Sequence, residues 1–337
     1  MILGIESTAH TASVGIVDER ARVVALASDM YRPAAGGIHP REAANHHVEI
    51  LPELVARAMA EGKVDPTSLQ GIAFAQGPGL GPCLRAGATV ARTLSLAWGI
   101  PLVPVNHCVA HVEIARVLSG IDDPILLYAS GGNTQVIAYA EGRYRVLGET
   151  LDIGIGNFLD KLWIALGGTF PGGPALEAEA KQGHELLALP YSVHGMDVAF
   201  SGMLTAALAL HREGRPRPDI AYSVEVTAYS MLVEITERAL AHRRRTDVVL
   251  GGGVACNQRL QGMVRGMVEG RGGRTFAPPR SLCVDNGAMI AWTGALALSQ
   301  GLVVAVEDSA VQPRQRTDLV PTPWRGLDSS AATPSVG

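Results

Sequence analysis

Short apolar runs of period two, each closed by a polar or glycine-rich loop, alternate along the chain with longer stretches of helical period. Residues 1–5 are apolar, residues 13–17 alternate, Asp18-Glu19 turns the chain and residues 23–27 return, which predicts strand, loop, strand, turn, strand. The first loop, Glu6 to Thr11, offers hydroxyls and backbone amides, although an ordinary hairpin accounts for it equally well. Residues 41–60 repeat Ala44, His47, Val48, Leu51, Leu54, Val55 and Ala58 at helical spacing, with Pro52 expected to kink or divide the helix. His46 and His47, being adjacent, do not face one site and read as surface or packing residues. A strand at 71–75, a Gly-Pro loop at 76–82 and a helix at 84–98 follow. A strand at 100–105 then ends on Asn106, a good N-cap for a helix.

After a polar break at 120–124 the opening pattern recurs. Residues 125–129 form a strand, Ser130-Gly-Gly-Asn-Thr134 a tight loop, 135–139 a second strand, Glu141-Gly142 a turn, and 144–147 a third strand. This internal duplication resembles the α/β plan of the actin, sugar-kinase and chaperone-ATPase (ASKHA) superfamily, in which two halves face a nucleotide cleft. It predicts a first half at 1–123, with 295–324 packing back on it, a second half at 124–294, and a disordered tail at 325–337. Within the second half, a helix carries Asp160 and Lys161, Pro171-Gly-Gly-Pro174 opens a helix at 175–182, and 190–201 reads as a loop. Helices are expected at 204–212, 220–243 and 254–268, the last with Asn257 in its first turn.

Composition narrows the classes. The 337 residues are 47% hydrophobic, enough for two packed cores. A net charge of -4 gives no broad basic surface, so any RNA contact needs local patches or partner subunits. The run His242 to Arg245 complements a helix C-terminus whatever else it does. Four scattered cysteines without a Cys-x-x-Cys pair argue against a thiolate zinc cluster and a disulfide framework. With no leader pattern and no apolar run of ~18 residues, a reducing, cytoplasmic setting is expected.

Candidate chemistry centres on Asn106-His-Cys-Val-Ala-His111. If helical, His107 and His111 leave one face and can share a metal ion, though Cys108 stands where the zincin helix needs a glutamate. Successive N–H groups in Ser130-Gly131-Gly132 can form an anion nest. Glycines 172 and 173 allow backbone to approach a ligand, and Glu177, expected on the first turn of the helix they open, could accept ribose hydroxyls. Capping service accounts equally well for Asp160 and Glu177. Gly251-Gly-Gly253 could let an adenine or ribose lie against backbone, with the Asn257 amide as a two-sided partner. Asp285, at a helix start, reads locally as an N-cap.

Together these segments resemble the universal tRNA threonylcarbamoyladenosine synthases, in the form of the archaeal and eukaryotic catalytic subunit of the KEOPS complex. The resemblance covers residues 1–324. It rests on Asn106 to His111, Tyr128-x-Ser-Gly-Gly-Asn-Thr-Gln135, Gly148-Glu-Thr-Leu-Asp152, Gly156-Asn-x-x-Asp160, Pro171 to Pro174, Gly251 to Ala255 and Asp285-Asn-Gly-Ala-Met289. It implies transfer of a threonylcarbamoyl group from threonylcarbamoyl-AMP to N6 of the adenosine 3′ of the anticodon, in tRNAs reading codons that begin with A. It also implies a metal held by His107, His111, Tyr128 and Asp285, and adenylate contacts at Tyr128, Ser130, Gly131, Gly132, Asn133, Asp160, Gly173, Glu177 and Asn257. The implied partners are tRNA and KEOPS subunits, among them a separate small kinase/ATPase and a small dimerising subunit. A donor set of two imidazoles, a phenol and a carboxylate suits Fe(2+), with zinc or another divalent ion as the alternative. Two other readings stand beside this one: an ASKHA ATPase or phosphotransferase, and a metal-dependent peptidase.

Overall fold

The computed structural model describes residues 1–33 and 36–326; most of the tail expected at 325–337 lies outside the described residues. Strands β1 (Ile2–Glu6), β2 (Thr11–Val17) and β3 (Val23–Met30) form an antiparallel meander. Helix α1 (Pro40–Gly62) leads to β4 (Gly71–Gly77), α2 (Gly81–Trp98), β5 (Leu102–Asn106) and α3 (His107–Ser119). The sheet order is β3-β2-β1-β4-β5, with β4 and β5 parallel to β1.

The second sheet repeats this plan. Strands β6 (Ile125–Ala129), β7 (Thr134–Ala140) and β8 (Arg143–Glu149) form the meander. Helices α4 (Ile155–Ala165) and α5 (Gly172–Ala180) come next, then a two-residue-stranded hairpin of β9 (Val193–His194) and β10 (Asp197–Val198), then α6 (Ser201–Arg212) and α7 (Arg217–Arg243). Strand β11 (Val248–Gly251), α8 (Gln258–Gly270), β12 (Thr275–Phe276), α9 (Arg280–Cys283) and α10 (Gly287–Ser299) complete it. The order β12-β11-β6-β7-β8, with β11 and β12 parallel to β6, matches the first sheet strand for strand. Strands buried on both faces, such as β1, β2 and β6, show near-continuous apolar runs because helices cover both sides.

Two helices cross between the halves. Helix α3 follows the first sheet in sequence, yet Cys108, Val109, Val112 and Ala115 pack on Leu126, Tyr128 and Tyr139 of the second. Helix α10 follows the second sheet, yet Ala288, Met289 and Ala291 pack with Ile2 and Val17 of the first. A Cβ at Gly4 would stand 2.2 Å from Ala291 N, and one at Gly15 would stand 2.3 Å from Ala288 N, so α10 lies backbone against backbone on β1 and β2.

Several expectations are corrected. Helix α1 runs unbroken through Pro52, which with Val48 lies on its exposed face, so the proline does not divide it. Residues 190–201 contain the β9–β10 hairpin. The segment returning to the first sheet begins with α10 at Gly287, before residue 295. The Arg325 side chain is buried, its guanidinium 4.5 Å from the Tyr139 ring centroid, so packing continues past the expected start of the tail.

Candidate metal centre and cleft

The two crossing helices open side by side, each capped by an asparagine. Asn106 accepts the Val109 N–H at 3.1 Å, which makes His107 the first residue of α3. Asn286, and not Asp285, caps α10 by accepting the Met289 N–H at 2.9 Å, and Ser13 Oγ accepts the Gly287 N–H at 3.0 Å. Asp285 is thereby released from capping and turns toward α3.

Four donor side chains meet there. His107 Nε2 lies 2.9 Å from Tyr128 Oη and 3.4 Å from Asp285 Oδ1, and His111 Nε2 lies 3.2 Å from the same Oδ1. The ligand atoms of His107, His111 and Asp285 all fall within 4.8 Å of one another, a grouping that could hold a metal ion. Tyr128 arrives at the end of β6. Burial opposes charge on His107, but Tyr128, Glu6 and Asp285 outweigh it and raise the imidazole well above its ordinary value. Burial lowers His111, and the two histidines hold the Asp285 carboxyl well below the usual range although burial opposes this.

Glu6 is the residue that the sequence reading missed. It is fully buried, accepts from His107 Nδ1 at 2.9 Å, and is itself fixed by the Thr8 N–H and hydroxyl at 2.6 and 2.5 Å. A carboxyl group on Nδ1 leaves Nε2 of His107 aimed at the other donors, as metal-ligating histidines require. Buried His111 Nδ1 has no hydrogen-bond partner among the described residues. The fit to a divalent ion rests on the donor atoms: Nε2 of His107 and of His111 both face Asp285, and the three ligand atoms lie within 4.8 Å of one another. The available signal was a glutamate closing an otherwise apolar strand, since an unpaired carboxylate is rarely buried.

Two adjoining cavities meet at Asp285 of this cluster. The larger, about 730 Å³, is lined by His107, Tyr128, Gly132, Asn133, Lys161 and Leu80 among others. The smaller, about 150 Å³, is lined by Gly173, Glu177, Asn257, Gly253, Tyr229 and Arg280 among others. His10, Ser130, Gly131, Asp160, Phe170 and Asp285 border both. A Cβ at Gly132, Gly173 or Gly253 would meet nothing within 4 Å, so three glycines leave open space along one cleft.

The remaining expected residues are distributed as follows. Ser130 to Asn133 form the β6–β7 loop, which is held to α4 by Gly156 N–H to Ser130 O (3.0 Å) and Asn157 N–H to Gly131 O (2.9 Å). Neither Gly131 nor Gly132 takes a positive φ, so the loop lacks the left-handed residue of an anion nest. Gly252 does, at +94°, where a Cβ would meet Ala129 O at 2.4 Å. Asp160 accepts the Gly172 N–H at 2.6 Å, capping α5, while burial raises its carboxyl. Glu177 sits six residues into α5, beyond the expected first turn, and accepts the Gln258 N–H at 3.2 Å. Asn257 is the N-cap of α8: its oxygen accepts from Leu260 N–H and its amide donates to buried Glu225 at 2.6 Å. Its side chain is thus occupied on both sides.

Comparison with known proteins bears on this geometry. The profile of a family described as tRNA N6-adenosine threonylcarbamoyltransferase matches residues 22–292. A protein of that name from Thermofilum pendens is 51% identical over 325 residues, covering 96% of this chain and 97% of the relative. The chain belongs to this family. A probable bifunctional tRNA threonylcarbamoyladenosine biosynthesis protein of Thermoplasma volcanium is 50% identical over 324 residues, 96% of this chain but 61% of its own length. This chain therefore spans about three-fifths of the length of that relative. Among solved structures, HypF of T. kodakarensis superposes with a TM-score of 0.64 at 17% identity, over 89% of this chain and 48% of HypF. That likeness shows the fold, the duplicated ASKHA architecture. Among the described residues, no helix is long and apolar enough to cross a membrane.

Proposed function

We propose that this chain transfers the threonylcarbamoyl group of threonylcarbamoyl-AMP to N6 of the adenosine 3′ of the anticodon, in tRNAs whose codons begin with A, with release of AMP. The observation that carries the reading is the convergence of His107, His111, Tyr128 and Asp285 beside the larger cavity, with Asp285 bordering the smaller one as well, in a chain of this family. Those four side chains would hold one metal ion, proposed to be Fe(2+), with zinc or another divalent ion as the alternative. When bound, the ion would supply Lewis-acid polarisation of the carbamoyl carbonyl or of phosphate oxygens.

The chain's own residues do the rest. The open spaces at Gly173 and Gly253, with Glu177 nearby, suit the nucleoside of the adenylate, and Ser130, Gly131 and Gly132, although they form no anion nest, line the cleft where its phosphate would lie. Because Asn257 is occupied by Leu260 and Glu225, its proposed part is to shape the smaller cavity and not to read the adenine with a free amide. Asp160 holds the start of α5, and with it Gly173, against the cleft. An adenosine in an anticodon loop can splay out of its stack, which suits an acceptor entering the larger cavity. The chain's charge of -4 leaves much of the tRNA affinity to KEOPS-type partner subunits, including the separate kinase/ATPase and the small dimerising subunit, in the cytoplasm.

The fold's nucleotide cleft also admits an ATPase or phosphotransferase. The peptidase reading loses ground because Cys108, where the general base would stand, is buried in the core against the second sheet. Incubation with threonylcarbamoyl-AMP and tRNA is expected to yield modified tRNA and AMP in equal amounts. ATP cleaved to ADP with no tRNA product would overturn the transferase reading.

A further inference from the structure

Transfer to an amine releases a proton. As the new N–C bond forms at the carbamoyl carbon, the C–O bond to the AMP phosphate breaks and its electron pair leaves with AMP. The N6–H of the acceptor must then go to a base, and reading His107, His111, Tyr128 and Asp285 as metal ligands leaves that base unassigned.

The base has to stand where adenylate and acceptor meet, on the wall common to both cavities. That wall offers three side chains that could take a proton: His10, Asp160 and Asp285. Asp285 is engaged by both metal-site imidazoles. Asp160 is engaged by the N-terminus of α5. His10 is the last residue of the β1–β2 loop, half-buried, and its ring nitrogens make no hydrogen bond to any described residue. The ring is nevertheless positioned. It stands edge-on to Phe170, with centroids 5.5 Å apart and planes at 89°, and the His10 carbonyl accepts the Tyr31 N–H at 2.8 Å. The titratable groups that face it from neighbouring elements are Asp160 on α4 and His47 on α1. A held imidazole with both nitrogens available, on the wall common to both cavities, is the arrangement a general base needs.

We propose that His10 accepts the N6 proton of the acceptor adenosine as the threonylcarbamoyl group is transferred, and then passes it to water. The inference rests on the transferase reading above and adds to it a catalytic residue contributed by the first half's loop.

The test is single-turnover transfer from threonylcarbamoyl-AMP to tRNA by the assembled enzyme, with the wild-type chain, His10→Ala and His10→Gln. Affinity of each for an AMP-type ligand is followed by calorimetry, and each reaction is repeated with added imidazole. Both substitutions are expected to slow transfer by about 10²–10⁴-fold with nucleotide affinity retained, and free imidazole should restore at least about tenfold to His10→Ala. The glutamine variant keeps a polar side chain of similar reach, so it reports even if the alanine variant folds poorly. Transfer by either variant at the wild-type rate, or a loss that imidazole leaves unchanged and that follows nucleotide affinity, would overturn the proposal. Wild-type transfer alongside an unaffected variant overturns this inference alone. Absence of transfer by the wild-type assembly overturns the transferase reading and this inference together.

Discussion

Helices α3 and α10 occupy corresponding places in the two halves, begin alike, and are held by different physics. Helix α10 is seated by close approach: glycines at 4, 15 and 287 let its backbone touch β1 and β2, and its buried side chains are small or apolar. Helix α3 is seated partly by a polar network. Buried Glu113 accepts from the Tyr144 hydroxyl at 2.7 Å, Trp324 Nε1 at 2.8 Å and Arg116 Nε at 2.8 Å. The loops beside them differ in the same way. The first is tied by buried His47, whose Nε2 lies 3.0 Å from Ala9 O, and the second by backbone amides at the start of α4. A duplicated scaffold can thus fix two converging elements by shape on one side and by titratable or polar groups on the other.

The largest effect expected from this contrast is at the glycine seam. Gly15→Val places side-chain atoms into the backbone of α10, and we expect a loss of at least about 3 kcal/mol or failure to fold, read by urea denaturation. A variant as stable as the wild type would refute the close seating.

Acid should act on the first loop through His47. Burial, then the charge of His46, lower the His47 imidazole to about 4. The folded state therefore prefers neutral His47. Its contribution is complete above the ordinary value near 6.5, declines as pH falls from there, and is gone below about 4, a difference on the order of 3 kcal/mol. Unfolding midpoints at pH 7.5 and 4.5 are expected to differ more for the wild type than for His47→Gln; equal differences would remove His47 from the account.

The polar seat of α3 should give a smaller loss. Glu113→Gln keeps the shape but turns one acceptor into a donor facing Arg116 or the Tyr144–Trp324 pair, which should lower stability by about 1–3 kcal/mol. Unchanged stability would mean that the network contributes nothing net.

Much of this plan was legible along the chain because local pattern decided it. The period-two runs and the recurrence of strand, loop and hairpin after residue 124 announced two similar sheets, and Asn106 announced α3. What local pattern could not carry was the choice between neighbours. Asp285 and Asn286 are both competent caps, and only the seating of α10 on Ser13 and Gly15 decides that the asparagine caps while the aspartate faces the histidines. Asn257 reads as an available amide until Glu225, 32 residues earlier on α7, is brought against it. Glu6 and His10 escaped notice for the same reason: their partners, His107 and Phe170, are far away in sequence.

The central claim, that the crossing helices hold an ion on which transfer depends, is tested most directly by replacing both imidazoles. In His107→Ala/His111→Ala protein, metal content by elemental analysis and tRNA transfer are measured on the same preparation. The account predicts that both vanish together, with nucleotide affinity reduced and the fold intact by circular dichroism. Full transfer by protein that carries no metal would contradict it.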